Sequence, residues 1–142
     1  SGHTAVEWKG GIVVYGGMNL VKEIMYDDVW FIRISEDGAS ASWSTPESSG
    51  TKPLARNSHT ATVMHEGGYT GSMVVIGGGS QEGLLSSVQI AKLGELPEKV
   101  TWSDCKLEGF TPREMHSACL ITTHTPQIIV FGGRVDAEDG SE

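Results

Sequence analysis

The chain has 142 residues, of which 38% are hydrophobic and 20% are charged, as is usual for one soluble globular domain. Ten Lys and Arg against eighteen Asp and Glu give a net charge of −8, which argues against nucleic acid and anionic lipid surfaces as partners. No apolar stretch approaches the roughly 20 residues that a membrane-spanning helix needs, so we expect no membrane anchor.

The first predicted strand opens at His3 in "HTAV", and the second, "IVVYGG", ends at Gly16 and Gly17. Two more strand-like runs follow, "YDDVWFIRI" and a segment around Trp43. All are short, rich in β-branched and aromatic residues, and bounded by Gly, Ser, Asp and Pro, which favours strands over helices. The sequence therefore predicts a four-stranded unit over residues 1–52.

The same order of features returns over residues 53–110. His59 opens "SHTATV", and "MVVIGGG" carries the glycine pair Gly77 and Gly78. "SSVQIAKL" then supplies a third strand, and Trp102 marks a fourth. Self-similarity at a nearly constant spacing is the signature of a repeat architecture, so this segment is a second four-stranded unit.

A third copy is cut short. His116 opens "HSACLI", and "IIVFGG" ends at Gly132 and Gly133, which gives two strands over residues 111–134. The remaining residues, 135–142, form an acidic tail that we expect to be a solvated loop.

Four-stranded units in tandem are what a β-propeller requires, because each blade buries its neighbour's face around a central channel. The order of an apolar run, Gly-Gly, an aromatic residue and a late Trp resembles the kelch motif. The segment "PLARNSHT" is similar to that of long-repeat kelch proteins such as Rab effectors and the host-cell-factor type. The pattern departs at Gln89, which stands where the first unit has Trp30. The predicted fold is all-β, a kelch-type β-propeller fragment of about two and a half four-stranded antiparallel blades.

Two and a half blades cannot close a ring, since propellers usually have about four to eight. Two interpretations remain open. The chain is a piece of a longer kelch protein whose further blades complete the ring, or a second copy pairs with it.

The repeated residues are predicted to be structural. Glycine lets a strand leave a crowded rim with positive φ, and a His at the same place in each unit is typical of a repeated contact rather than of a metal site. We therefore expect no metal. The residues assigned this role are Gly16, Gly17, Gly77, Gly78, Gly132, Gly133, His3, His59, His116, Trp43 and Trp102.

Arg56 and Arg113 each stand three residues before a repeated His, and Arg134 follows the last glycine pair. The kelch resemblance implies that these loops share one face near the channel mouth, where guanidinium groups could bind carboxylates. The alternative is that the arginines tie blades together through ion pairs or carbonyl contacts.

The loops after the glycine pairs, "MNLVKEIM" and "SQEGLL", share the predicted face and are apolar for exposed loops. Loops on a rigid scaffold commonly carry binding residues. We predict that Asn19, Lys22 and Gln81 contact a partner together with the arginines.

The predicted function is a protein-interaction module or scaffold, whose partner is another protein and in particular an acidic peptide segment. We expect no catalytic residue and no cofactor; the alternative is a kelch-type enzyme resembling sugar oxidases, isomerases or metal-assisted lyases. Cys105 and Cys119 lack CxxC spacing and favour reduced thiols, hence a cytoplasmic or nuclear location.

Overall fold

The structure is a computed structural model that describes residues 1–137. Within this range the chain forms strands and turns and no helix, so it also has no helix that could cross a membrane. The predicted all-β fold class is confirmed. Residues 138–142, the end of the predicted acidic tail, lie outside the described residues.

Fifteen strands follow one another along the described chain. They are β1 (Thr4–Trp8), β2 (Gly11–Tyr15), β3 (Met18–Asn19), β4 (Ile24–Met25), β5 (Val29–Ile34), β6 (Ala41–Ser44), β7 (Glu47–Gly50), β8 (Thr60–Met64), β9 (Ser72–Ile76), β10 (Gly79–Ser80), β11 (Gly83–Leu84), β12 (Val88–Lys92), β13 (Lys99–Cys105), β14 (Ser117–Ile121) and β15 (Gln127–Phe131).

Blade 1 is an antiparallel sheet of four strands in the order β1-β2-β5-β6. In β2, Val13 and Tyr15 are fully buried, whereas Ile12 and Val14, which alternate with them, are partly exposed. This alternation follows from the period of two in a strand, which sends successive side chains to opposite faces. One face of blade 1 is therefore covered by the next blade, and the other is not.

Blade 2 repeats this order as β8-β9-β12-β13, and a fifth strand, β7, pairs in parallel with β13. In this pairing Glu47 lies opposite Lys99 and Gly50 opposite Trp102. The division of the chain at residue 52 stays a prediction, but the hydrogen-bonded sheet of blade 2 takes in a strand that precedes it.

Blade 3 consists of the antiparallel pair β14-β15, in which Ser117 lies opposite Phe131. Two short hairpins, β3-β4 and β10-β11, follow the glycine pairs of blades 1 and 2. They lie outside the blade sheets and belong to the loops at one end of the blades.

The core lies between blades. Tyr15 of blade 1 packs against Trp102 of blade 2, with ring centroids 5.1 Å apart, and Trp102 is only 2% exposed. Trp43 occupies the same register in blade 1 but is 61% exposed, because no blade covers that face within the described residues. Trp43 contacts Trp30 within blade 1, and its predicted structural role stays a prediction.

Candidate functional site

Each glycine pair is the point where one blade contacts the segment that enters the next. The backbone N–H of Gly17 donates to the carbonyl of Arg56 at 2.8 Å, and that of Gly78 donates to the carbonyl of Arg113 at 2.9 Å. The arginine backbones thus bind successive blades together at equivalent positions.

The second pair illustrates why glycine is required. Gly77 and Gly78 have φ values of 61° and 98°, in the left-handed region. A Cβ on Gly77 would lie 2.6 Å from the carbonyl oxygen of Arg113, and one on Gly78 would lie 2.6 Å from that of Asn57. A side chain at either position would therefore clash with a neighbouring carbonyl unless the backbone shifted.

Next to each pair, the chain forms an inner backbone bridge that recurs three times. In each bridge the two residues exchange hydrogen bonds from a main-chain nitrogen to a carbonyl, with donor–acceptor distances between 2.6 and 3.1 Å, and the nitrogen of Ser1 is its amino group. The bridged pairs are Ser1 with Met18, Asn57 with Gly79, and Glu114 with Arg134. These bridges bring the loops after the glycines and the segments that enter the blades to one end of the molecule. We call this end the loop face, formed by hairpins β3-β4 and β10-β11, residues 54–58 and 113–116, and Arg134.

Arg56 is fully buried, so its guanidinium cannot reach a partner. Its Nε donates to the carbonyl of Leu54 at 3.1 Å, Nη1 donates to the carbonyl of Gly77 at 2.9 Å and to Ser87 Oγ at 3.2 Å, and Nη2 donates to Gln89 Oε1 at 2.5 Å. Burial lowers the pKa of this guanidinium. Arg56 is a structural residue of blade 2, and its assignment to partner binding is wrong.

Arg113 occupies the equivalent place in blade 3 and is half-buried. Its Nε donates to the carbonyl of Thr111 at 3.2 Å and its Nη1 to that of Gly132 at 3.0 Å, while the guanidinium lies 5.2 Å from the ring centroid of Phe110. The carbonyls of Thr111 and Gly132 correspond to those of Leu54 and Gly77, which Arg56 contacts. The described part of blade 3 has no third strand to supply the equivalents of Ser87 and Gln89. Whether Arg113 also contacts a partner stays a prediction.

Arg134 forms an ion pair with Glu114 across the last inner bridge. Its Nε and Nη2 donate to Glu114 Oε1 at 2.8 and 2.6 Å. The Arg134 side chain is 61% exposed and that of Glu114 is 10% exposed. The three guanidinium groups therefore do not form one shared surface for carboxylates, since one is buried, one donates to carbonyls and one is paired with Glu114.

The histidines form a repeated contact between blades. His59 Nε2 and Thr4 Oγ1 are hydrogen-bonded at 2.9 Å, and His116 Nε2 and Thr60 Oγ1 are hydrogen-bonded at the same distance. The ring of His59 also packs edge-on against Tyr15, with centroids 5.1 Å apart. Each His thus joins its own blade to the first strand of the blade before it.

Burial sets the charge state of these rings. It lowers the pKa of His59 to about 3, with nearby Arg56 adding to the effect, and it also lowers the pKa of His116, next to Arg113. Among residues 1–137, no three His, Cys, Asp or Glu side chains lie close enough together to hold a metal ion.

Hairpin β3-β4 carries the most exposed apolar side chain of the loop face. Val21 is 94% exposed, and Leu20 beside it is also largely exposed. Asn19 Oδ1 accepts hydrogen bonds from the backbone N–H groups of Val21 and Lys22 at 3.1 and 3.0 Å. Asn19 thus fixes the turn that presents the exposed residues, while the Lys22 side chain is exposed.

The two hairpins border a cleft of about 220 Å³ on the loop face. Met25 lines it from the first hairpin and Leu84 from the second, and the charged residues Glu114, Arg134 and Asp136 also line it. Gln81, at the tip of the second hairpin, is exposed and lines a smaller neighbouring depression with Met25. Apolar side chains, one ion pair and a further carboxylate thus line a single concave surface.

Two residues that matter here were missed by sequence reasoning. Gln89, noted only as a departure from the pattern, accepts the Arg56 hydrogen bond and is buried. Glu114, two residues before His116, is the partner of Arg134. It stands at the same repeat position as Asn57, so the alignment of the units contained a signal for its place, though not for its ion pair.

Comparison with known proteins gives one family. The family model of the KLHDC2/KLHL20/DRC7 Kelch-repeats domain matches residues 2–141. Kelch domain-containing protein 3 from Bos taurus is 31% identical over 140 residues, which cover 95% of this chain and 32% of the relative. Host cell factor 1 from Homo sapiens is 32% identical over 112 residues, which cover 77% of this chain and 5% of the relative.

The chain spans about a third of the length of Kelch domain-containing protein 3 and a twentieth of that of Host cell factor 1. The family match extends over nearly all of the repeats from which the kelch resemblance was predicted, and the blades, glycine stops and inter-blade histidines recur in register. The chain belongs to the kelch-repeat family of β-propeller proteins.

Proposed function

We propose that this chain is a protein-interaction module that binds its partner through the loop face. The observation that carries the proposal is the hairpin β3-β4, where Leu20 and Val21 project into solvent beside a cleft. Exposed apolar side chains at the rim of a concave surface are typical of interaction sites. Kelch-repeat domains are generally protein-interaction modules, which supports the same conclusion.

The hairpin is held rigidly. The backbone N–H of Met18 donates to the carbonyl of Ser1, that of Tyr26 donates to the carbonyl of Gly17, and Asn19 fixes the turn. A preorganised loop loses little conformational entropy on binding, so its apolar contacts contribute more fully to affinity. The fixed turn therefore favours recognition rather than a merely solvated loop.

The charges of the loop face suit a partner segment that combines apolar residues with a carboxylate. Lys22 is exposed at the hairpin tip, and Arg134, which lines the cleft, has a largely exposed side chain. Two nitrogens of the Arg134 guanidinium, Nε and Nη2, already donate to Glu114, so a partner carboxylate would be bound through the other nitrogen, Nη1. Because the chain carries a net charge of −8, attraction for an acidic segment must come from these local cations, and binding should weaken as salt increases.

The test is affinity capture from a cytoplasmic extract, followed by mass spectrometry, since a cytoplasmic location remains our prediction. The bait chains are wild type, a Leu20→Ser and Val21→Ser double variant, and Ile34→Ser. Ile34 is an exposed apolar residue at the opposite end of blade 1, so its variant is the matched control.

We expect wild type and Ile34→Ser to capture the same protein and the double variant to lose at least 90% of it. Purified partner should then bind wild type directly, with affinity that falls in Arg134→Ala. Equal capture by all three chains, each shown to be folded, would refute the loop face as the binding surface.

A further inference from the structure

The carboxylate of Glu114 has one oxygen that is hydrogen-bonded and one that is not. Oε1 accepts both hydrogen bonds from Arg134, and Oε2 accepts none from residues 1–137. The Glu114 side chain is only 10% exposed, yet it lines the cleft between the two hairpins. Buried polar groups in folded proteins are nearly always hydrogen-bonded. Oε2 is therefore an acceptor that a donor in the cleft would satisfy.

Asn57 supplies a second acceptor beside the first. A Cβ on Gly79 would lie 2.5 Å from Glu114 Oε2 and 3.2 Å from Asn57 Oδ1, so both oxygens border the space that a side chain at Gly79 would fill. Asn57 Nδ2 donates to Met18 Sδ at 3.2 Å, and because a thioether sulfur only accepts hydrogen bonds, the amide oxygen is left on the side of Gly79. Gly79 thus opens a small site that two acceptors border.

These contacts are made with the blade that precedes Glu114 in the chain. Glu114 reaches back from blade 3 to Gly79 of blade 2. Asn57, at the same repeat position, reaches back from blade 2 to Met18 of blade 1. Blade 2 has its four repeat strands and its hairpin within the described residues. The site at Gly79 is therefore built from segments that the chain contains in full.

The cleft that leads to this site has apolar walls and a negative charge. Met25 and Leu84 line it from the two hairpins. Two carboxylates, those of Glu114 and Asp136, line it against one guanidinium, that of Arg134. Lys and Arg side chains join an aliphatic stem to a cationic head that only donates hydrogen bonds. The cleft and its two acceptors match both parts of such a side chain.

We infer that the cleft binds an arginine or lysine side chain of the partner. The cationic head donates to Glu114 Oε2 and Asn57 Oδ1, in the space that Gly79 leaves open. The aliphatic stem packs between Met25 and Leu84. The inference rests on the proposed function, because it takes the loop face as the binding surface. It adds a basic residue to the partner segment, beside the carboxylate proposed above.

The charges of the chain act in the same direction. A net charge of −8 attracts cationic segments, and a hydrogen bond from a cation to a carboxylate is about twice as strong as a neutral one. The Arg134 guanidinium opposes a second cation in the cleft, so its removal should strengthen the binding of one. Binding should also weaken as salt is added, because salt screens these charges.

Titrations followed by proton–nitrogen NMR correlation spectra test the cleft without a protein partner. The probes are acetyl-arginine amide and acetyl-lysine amide, and acetyl-glutamine amide and acetyl-glutamate amide are controls with the same backbone. We expect the basic probes to bind with a Kd of about 1–10 mM and to shift the backbone signals of Gly79, Leu84 and Glu114. Acetyl-glutamine amide should shift none of these signals at the same concentrations.

Substitutions in the cleft should change this binding in opposite directions. Glu114→Gln removes the charge of the acceptor, and Gly79→Ala places a methyl group against Oε2 at a residue whose φ is not positive. Each should weaken the binding of acetyl-arginine amide at least about fivefold, whereas Arg134→Gln should strengthen it about twofold or more. Glu82→Gln removes an exposed carboxylate of the second hairpin that does not line this cleft, and it should bind as wild type does.

The inference and the proposed function fail in different ways. Basic probes that shift no cleft signal, acetyl-glutamate amide that binds there in their place, or an unchanged Kd in Glu114→Gln would overturn the inference and leave the loop face as the proposed surface. If the basic probes bind as expected but the Leu20→Ser and Val21→Ser double variant captures protein as wild type does, the cation site is upheld and the proposed function is refuted.

Discussion

Lowering the pH should destabilise the fold through His59. Burial lowers its pKa from 6.5 to about 3, so between these values the unfolded chain binds a proton that the folded chain does not. Stability therefore falls as the pH falls through this window. Between pH 7 and pH 5 the unfolded His59 changes from mostly neutral to almost fully protonated, which costs about 2 kcal/mol in the free energy of unfolding.

The contacts of the ring explain the cost. A protonated His59 would place a positive charge between Tyr15 and the buried guanidinium of Arg56, where burial already disfavours charge. His116, whose pKa burial also lowers, acts in the same direction at the next blade contact. Acid should therefore loosen both contacts between blades.

Urea denaturation followed by tryptophan fluorescence at pH 7, 6 and 5 measures the effect. Wild type should lose at least about 2 kcal/mol between pH 7 and 5, and His59→Gln should lose about 2 kcal/mol less than wild type over the same interval. His124→Gln, a change at an exposed His, should keep the wild-type pH dependence. If His59→Gln and wild type lose equal stability, the proposed protonation cost at His59 is refuted.

Three further predictions concern the loss in the free energy of unfolding caused by single substitutions, measured by chemical denaturation. Arg56→Met should lower the free energy of unfolding by about 3 kcal/mol or more, because it leaves buried carbonyl and amide oxygens without a hydrogen bond. Arg113→Met should lower it by about 1 kcal/mol. Equal losses would contradict the difference in surroundings between the two arginines. Gly78→Ala should cost at least about 2 kcal/mol through backbone strain and the clash with a carbonyl oxygen, and an unchanged denaturation midpoint would count against it. Trp102→Ala should cost about 3 to 5 kcal/mol and Trp43→Ala below about 1 kcal/mol, and the reverse order would disprove the assignment of faces.

The blade architecture could be predicted because its signals are local and repeat in register. An apolar run that stops at two glycines specifies a strand and its sharp exit within six residues, and Gly77 and Gly78 take positive φ values as such an exit requires. The His before each first strand marks the start of a blade. These signals do not depend on knowing which residues meet across the fold.

The environment of each functional side chain depends on contacts between residues that are distant in the sequence, and sequence reasoning did not predict these contacts. Arg56 and Arg113 look alike in the sequence, but Gln89 and Ser87 on the third strand complete the burial of Arg56 alone. Trp43 and Trp102 likewise match in sequence and differ in burial because only one of them faces another described blade.

Strand β7 was not predicted from the sequence, for a different reason. The segment Glu47–Gly50 is polar and ends in glycine, so it carries no strand signal. It pairs in parallel with β13 because the connection between blades passes along the outer edge of blade 2. Topology rather than propensity makes it a strand.

Hydrogen–deuterium exchange of the chain with and without its captured partner tests binding through the loop face most directly. We expect the partner to slow exchange in Met18–Met25 and Gly79–Leu84, while the turns at the opposite end of blade 1, residues 9–10 and 35–40, exchange at unchanged rates. Protection confined to the opposite end, with both hairpins exchanging as in the unbound chain, would contradict the proposed binding surface.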